Sequence, residues 1–201
     1  MKLISFATDD PFFQMCKIIF ETHHRAMGFD VEVTTLPRDG SWLDMCNFKP
    51  KFLLEKYQSI TDRPLIWLDV DCLLHRFDGF DKTGVGALLN PNAVHCPLSC
   101  GIFAFGDNSE GFLQKWVSLI SNDSHDHVSV CKIYRENLFS PIHDLRSSLW
   151  MTIDGIKMSL KQLRGTLPCP WCGAMYWESF RYCTLFACDQ CKNVIEAGDW
   201  K

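Results

Sequence analysis

Apolar and polar positions change their spacing several times along the chain. Lys2–Ala7 (KLISFA) is a short apolar run closed by Thr8-Asp9-Asp10-Pro11, the pattern of a strand that ends in a polar loop. From Phe13 to Met27 the spacing lengthens to three or four, with Met15, Ile18, Ile19 and Met27 recurring before Gly28, which predicts a helix. Asp30–Leu36 (DVEVTTL) alternates as a half-buried strand does. Lys51–Ile60 (KFLLEKYQSI) predicts a second helix with Pro50 at its first turn, where a missing N–H does no harm. Leu65–Val70 (LIWLDV) is an apolar run ending in acid, the mark of a strand covered on both faces. Asn108 or Ser109 is placed to cap a helix through Ser121, whose apolar face is Phe112, Leu113, Trp116, Val117 and Ile120. Strand and helix alternate, so the expected architecture is an α/β fold with a mostly parallel sheet and flanking helices.

Composition narrows the class. Hydrophobic residues make up 47% and charged residues 22%, with 15 Phe and 7 Trp, which sustains a core and excludes a disordered or collagenous chain. The 201 residues suffice for one ordinary α/β domain and a small appendage. No run approaches the roughly 18 apolar residues of a membrane span, and the start MKLISFATDD lacks a signal-peptide core. The expectation is a soluble chain with no membrane partner in a reducing, cytoplasmic compartment (the host cytoplasm for a viral chain). A net charge of -4 gives no global basic field, so any nucleic-acid contact would be local.

The 11 cysteines divide the chain: five lie in the last 33 residues and six are scattered singly before them. The expected boundary separates residues 1–165 from a Cys- and aromatic-rich segment, 166–201. Cys169-Pro170-Trp171-Cys172 and Cys188-Asp189-Gln190-Cys191 form C-x₂-C-x₁₅-C-x₂-C. Two such knuckles supply the tetrahedral four-thiolate set that suits Zn²⁺, and a closed set of this kind is structural. The pattern resembles a zinc ribbon, in which zinc supplies the stabilisation that so short a segment cannot obtain from its own core. Paired disulfides or a redox C-x₂-C would require export or a thioredoxin-like setting, and neither is indicated. The segment carries Arg181, Lys192 and Lys201 against Glu178, Asp189, Glu196 and Asp199, so it is not basic. Its aromatics, Trp171, Tyr176, Trp177, Phe180 and Tyr182, could stack on bases or sugars or pack on the larger domain. Lys157, Lys161 and Arg164 share one face of any helix there and could follow a phosphate backbone, although such a face is usually just solvated.

Ligands of parallel sheets sit beyond the carboxyl ends of the strands. Two acidic clusters fall there, Thr8-Asp9-Asp10 and Asp69-Val70-Asp71. If the chain stays extended, Asp69 and Asp71 point to one side, and a hard divalent cation is the natural occupant between them. The plainer reading is a strand that ends in two solvated acids, one of them capping the next turn.

Context extends the pattern. Gly40–Leu54 (GSWLDMCNFKPKFLL) followed by Arg63–Asp71 (RPLIWLDVD) resembles small GT-A nucleotide-sugar glycosyltransferases of phage or bacterial type, in which a helix beginning "KP-K-hydrophobic" precedes the DxD strand. Leu98–Phe105 (LSCGIFAF), the helix with Trp116, and Asp126-His127 are similar to the family's Ser-Gly strand, its Trp-bearing helix and its Asp-Gln pair. The resemblance covers residues 1 to 150 in the family's order. It implies that Asp71 is the principal ligand of Mn²⁺ or Mg²⁺, with Asp69 reaching the metal through water or binding the ribose, and with His143 completing the shell as in some members. It implies that Thr8 and Asp10 hold base and ribose, that Lys49 or Lys51 offsets pyrophosphate charge, and that Ser99 and Gly101 line the acceptor side. Asp126 would bind the acceptor hydroxyl or act as general base. His127 stands where the family has Gln, and Cys100 splits the Ser-Gly pair. For His143 the plainer reading is a surface histidine beside a turn; His23 and His24 read as solvated or structural, and Trp42 and Trp67 as core.

The expected activity is transfer of a sugar from a nucleotide-diphosphate donor to an acceptor hydroxyl, with a modified base in DNA, as in phage-type hypermodification, the favoured acceptor. Two alternatives remain open. One is a non-catalytic nucleic-acid adaptor bearing a zinc ribbon on a transferase-like fold. The other is a DxD phosphatase, which would place its motif on the first strand and Thr or Val where Leu73 stands.

Overall fold

A computed structural model describes residues 1–38, 41–89, 97–121 and 125–152. The zinc-ribbon cysteines, the basic strip at 157–164 and the expected boundary at residue 165 lie outside the described residues. The chain is mixed α/β. Its elements are β1 (Lys2–Thr8), α1 (Pro11–Ala26), β2 (Asp30–Leu36), α2 (Trp42–Ser59), β3 (Leu65–Leu68), β4 (Leu73–Phe77), β5 (Val85–Leu89), β6 (Leu98–Phe105), α3 (Glu110–Leu119), α4 (Asp126–Arg135), β7 (Ile142–Asp144) and β8 (Leu149–Thr152).

Six strands form one sheet in the order β2-β1-β3-β6-β5-β7, and β4 pairs with β8 in a separate ribbon. The β1–β2, β1–β3 and β5–β7 pairs are parallel, while β6 runs against both β3 and β5, so five strands share one direction. Side chains alternate across this sheet, as the pleat demands. Leu3, Ile66, Leu68, Ile102 and Ala104 face one core with Phe12, Cys16 and Phe20 of α1 and Leu73, Leu74 and Leu149 of the β4–β8 ribbon. Ile4, Leu65, Trp67, Phe103 and Phe105 face the other, with Phe52, Leu53 and Tyr57 of α2, Phe112 and Trp116 of α3 and Val130 of α4. Cover on both faces is why the central strands read as unbroken apolar runs.

The helices correct two sequence expectations. α2 begins at Trp42, nine residues before the expected Lys51, so Pro50 lies inside it. A reciprocal capping box sets the start: the Ser41 hydroxyl accepts the Asp44 N–H at 3.3 Å, and the Asp44 carboxylate accepts the Ser41 N–H at 2.7 Å. Met45 to Lys49 thereby become helical, which carries Lys49 over the sheet. α3 spans Glu110–Leu119, and the side chain of Ser109 forms no cap; its hydroxyl donates to the carbonyls of Gly84 and Gly106.

Candidate functional site

β1 and β3 are parallel neighbours, so Thr8-Asp9-Asp10 and Asp69-Val70-Asp71 emerge at one edge of the sheet. β6 enters from that edge, bringing Ser99 and Gly101 beside the end of β3, where the Asp69 N–H donates to Gly101 O at 2.9 Å. The chain does not stay extended through the acids. Cys72 N–H donates back to Asp69 O at 2.9 Å, so Asp69 to Cys72 is a turn that reverses the chain into β4. Asp at the first position of such a turn is favourable.

Lys49 is the centre of the cluster. Its ammonium lies 2.9 Å from Asp69 Oδ1, 3.4 Å from Asp126 Oδ2 and 5.4 Å from the centroid of the Trp67 ring. The residue is only 7% exposed. Burial alone would lower its pKa, but Asp69 and then Asp126 more than reverse this, so the ammonium is held above its ordinary value and stays charged. Asp69 Oδ1 also accepts Trp67 Nε1–H at 3.0 Å. Asp126 begins α4: its Oδ1 accepts the His127 N–H at 2.9 Å, and its carbonyl accepts Trp116 Nε1–H at 3.0 Å. Asp126 Oδ2 is buried and accepts no hydrogen bond, having only the charge of Lys49 near it. Buried carboxylate oxygens without a donor are rare and mark places where a ligand group can enter. His127 Nε2–H donates to Leu98 O at 2.6 Å, tying the start of α4 to β6.

Glycine chemistry singles out one position on β6. A Cβ at Gly106 would lie 1.9 Å from Lys82 O, so the fold requires glycine there. A Cβ at Gly101 would meet Ser99 Oγ at 3.5 Å and Asp69 Oδ2 at 3.8 Å, both ordinary contacts. Packing therefore does not demand Gly101; its missing side chain leaves room over Asp69 Oδ2, as a site needs where a ligand approaches backbone closely.

The remaining expected residues divide. Thr8 and Asp10 serve α1: the Thr8 hydroxyl donates to Asp10 Oδ2, and Asp10 Oδ1 accepts the Phe13 N–H at 3.1 Å as N-cap. Lys51 is exposed and points away from Lys49, since two residues on a helix lie on nearly opposite sides. His143 on β7 aligns through Gly86 and Ala104 with Ile66, three strands from β3 and roughly 14 Å across the sheet. Its Nε2–H donates to Thr83 O at 3.0 Å, and it lines a separate cleft of about 290 Å³ with Phe80 and Asp144. The structure thus brings Lys49, Asp69, Ser99, Gly101 and Asp126 together and leaves His143 apart.

Among the described residues no three His, Cys, Asp or Glu side chains are grouped to hold a metal ion. An ion held by Asp69 Oδ2 and Asp71 would be of the Mg²⁺ type that takes one or two carboxylates and completes its shell with phosphates and water. Two thiols, Cys46 and Cys100, lie beside the cluster. Burial, then the charge of Asp126, pushes Cys46 up to about 12, and burial raises Cys100 well above its ordinary value, so both stay protonated near neutrality.

No helix among the described residues is long and apolar enough to cross a membrane. No family model and no curated protein matches the chain. Solved structures do. One is the crystal structure of a glycosyltransferase involved in the glycosylation of the major capsid of PBCV-1, matched with a TM-score of 0.54 and 11% identity over 72% of this chain and 81% of that one. At that identity the likeness is one of fold: this chain shares the mixed α/β architecture of that structure.

Proposed function

We propose that the chain is a nucleotide-sugar glycosyltransferase of GT-A type acting on an acceptor hydroxyl. The observation that carries this reading is the convergence of Asp69, Lys49 and the donorless Asp126 Oδ2 at the carboxyl edge of a glycosyltransferase-like sheet. Asp126 Oδ2 is the buried oxygen of the cluster that can take a hydroxyl proton without breaking an existing hydrogen bond. Proton transfer of this kind is worth typically about 10²–10⁴-fold in rate. Lys49, tied to two carboxylates, sets their positions and is not the cation that meets a diphosphate. Asp69 Oδ2 and Asp71 would hold Mn²⁺ or Mg²⁺ with that diphosphate, where the metal supplies Lewis-acid stabilisation of the leaving group. Gly101 and Ser99 leave the floor open for the transferred sugar. Thr8 and Asp10, by capping α1, fix the loop against which base and ribose would lie.

For the segment beyond the described residues we propose a structural Zn²⁺ on Cys169, Cys172, Cys188 and Cys191, supported by the two C-x₂-C pairs and their spacing. With its aromatics, that segment favours a nucleic-acid acceptor, a modified base in DNA.

Thermal-shift screening of nucleotide sugars with Mn²⁺ tests the donor. A ligand at 100 times its Kd stabilises by about 2.7 kcal/mol, which moves the midpoint by several degrees. A flat response to every donor in the presence of Mn²⁺ would sink the reading. Labelled sugar passing from such a donor to modified DNA, and not to plain DNA, tests the acceptor.

A further inference from the structure

β4 leaves the Asp69–Cys72 turn, and two consecutive histidines of α1 hold it. His23 Nε2–H donates to Leu74 O at 2.7 Å, and His24 Nε2 accepts the Leu74 N–H at 3.1 Å. A carbonyl only accepts, so His24 Nδ1, 2.8 Å from Phe20 O, carries the ring proton and the tautomer is fixed. Both backbone polar groups of Leu74 are met by side chains, on a strand whose register with β8 slips just beyond it, between Leu74 and Arg76. Two imidazoles therefore do at Leu74 what a neighbouring strand would do.

Leu74 stands two residues beyond Cys72, whose N–H closes the turn on Asp69. The turn is thus anchored at its start by Gly101 O and at its end by the histidine pair, with Asp71 between. We propose that His23 and His24 are positioning residues that fix the acid-bearing turn through Leu74, and that acid releases the turn when His24 takes a second proton. Protonated Nε2 would face the Leu74 N–H donor to donor, inside a core where His24 is fully buried. The titratable groups that act on it are His23 of α1, with ring centroids 4.9 Å apart, and His75 of β4; each opposes a charge on His24. Burial, with those two neighbours, lowers its pKa to about 4, so the hold is complete at neutrality and lost in moderate acid. Asp69 keeps its anchors on Lys49 and Trp67 throughout, so the release acts on the end of the turn that leads into Leu74. That Asp71 serves a donor diphosphate rests on the transferase reading; the positioning itself does not.

Amide hydrogen exchange of the full chain, measured from pH 7 to pH 4 without any ligand, tests the inference. The protection factor of Leu74 is expected to fall at least tenfold relative to that of Ile66. In His24→Gln, which keeps an acceptor that cannot charge, the ratio should stay constant. The Asp71 and Cys72 amide resonances of wild type should then diverge from those of the variant only in acid. A Leu74 to Ile66 ratio unchanged down to pH 4 would overturn the inference. So would exposure of Leu74 while the Asp71 and Cys72 amides remain coincident with the variant's, since the pair would then be structural alone. If His24→Gln does not fold, the wild-type ratio decides by itself.

Discussion

At the scale of single residues, Lys49 and Asp126 carry the sharpest expectations. Removing the ammonium in Lys49→Met leaves the buried Asp126 carboxylate uncompensated and the partly exposed Asp69 without its ion pair, at a cost of about 3–5 kcal/mol, read as a lowered denaturation midpoint. Asp126→Asn is milder. Its amide oxygen can still accept the His127 N–H, so the fold should hold while kcat falls by about 10²–10⁴ with KM little changed, once a donor is in hand. A wild-type kcat in Asp126→Asn would remove Asp126 from the chemistry. Lys49 itself was visible in the sequence as a basic residue before a hydrophobic helix, but its partners lie 20 and 77 positions away. A sequence offers no signal for such contacts, and the pyrophosphate role expected of Lys49 took no account of the two acids that fold against it.

At the scale of elements, Gly101 on β6 and Gly106 just beyond its end separate ligand from fold. Gly106→Ala forces a Cβ against Lys82 O and should unfold the domain or cut its stability sharply, whereas Gly101→Ala should melt as wild type does and weaken donor binding. Calorimetry and donor titration of the two variants check this. β1, β2, β3, α1 and α3 were legible because each is a continuous apolar run, an alternating run or a helical period. β5 (VGALL) and β7 (IHD) were not: one is short and broken by glycine, the other is three residues with two polar ones. The start of α2 could have been found. Ser41-x-x-Asp44 is a capping signal, and Pro50, a residue that favours a first turn, competes with it in the sequence. The turn at Asp69–Cys72 carries a weaker signal, an Asp at its first position, and the Gly101 carbonyl that holds its start lies 32 positions away in the sequence.

At the scale of the whole molecule, pH and metal give two separate tests. His24 binds a proton at about 4 in the folded chain against an ordinary 6.5, so the unfolded chain binds more protons between those values. Stability should be full above pH 6.5 and decline as pH falls toward 4, by about 3 kcal/mol in all, a decline that His24→Gln should flatten in denaturant titrations. Metal analysis should find one zinc per chain that is lost on Cys169→Ser. The two cores divided by the sheet carry a final consequence, for how substitutions combine. Phe20 and Phe112 lie in different cores and share no neighbours, so truncating both should destabilise by the sum of the single effects. Pairs that straddle the carboxyl edge, such as Lys49 with Asp126, should depart strongly from that sum. The chain can therefore accumulate change independently on its two faces, while variation at the edge where they meet must arrive in matched pairs.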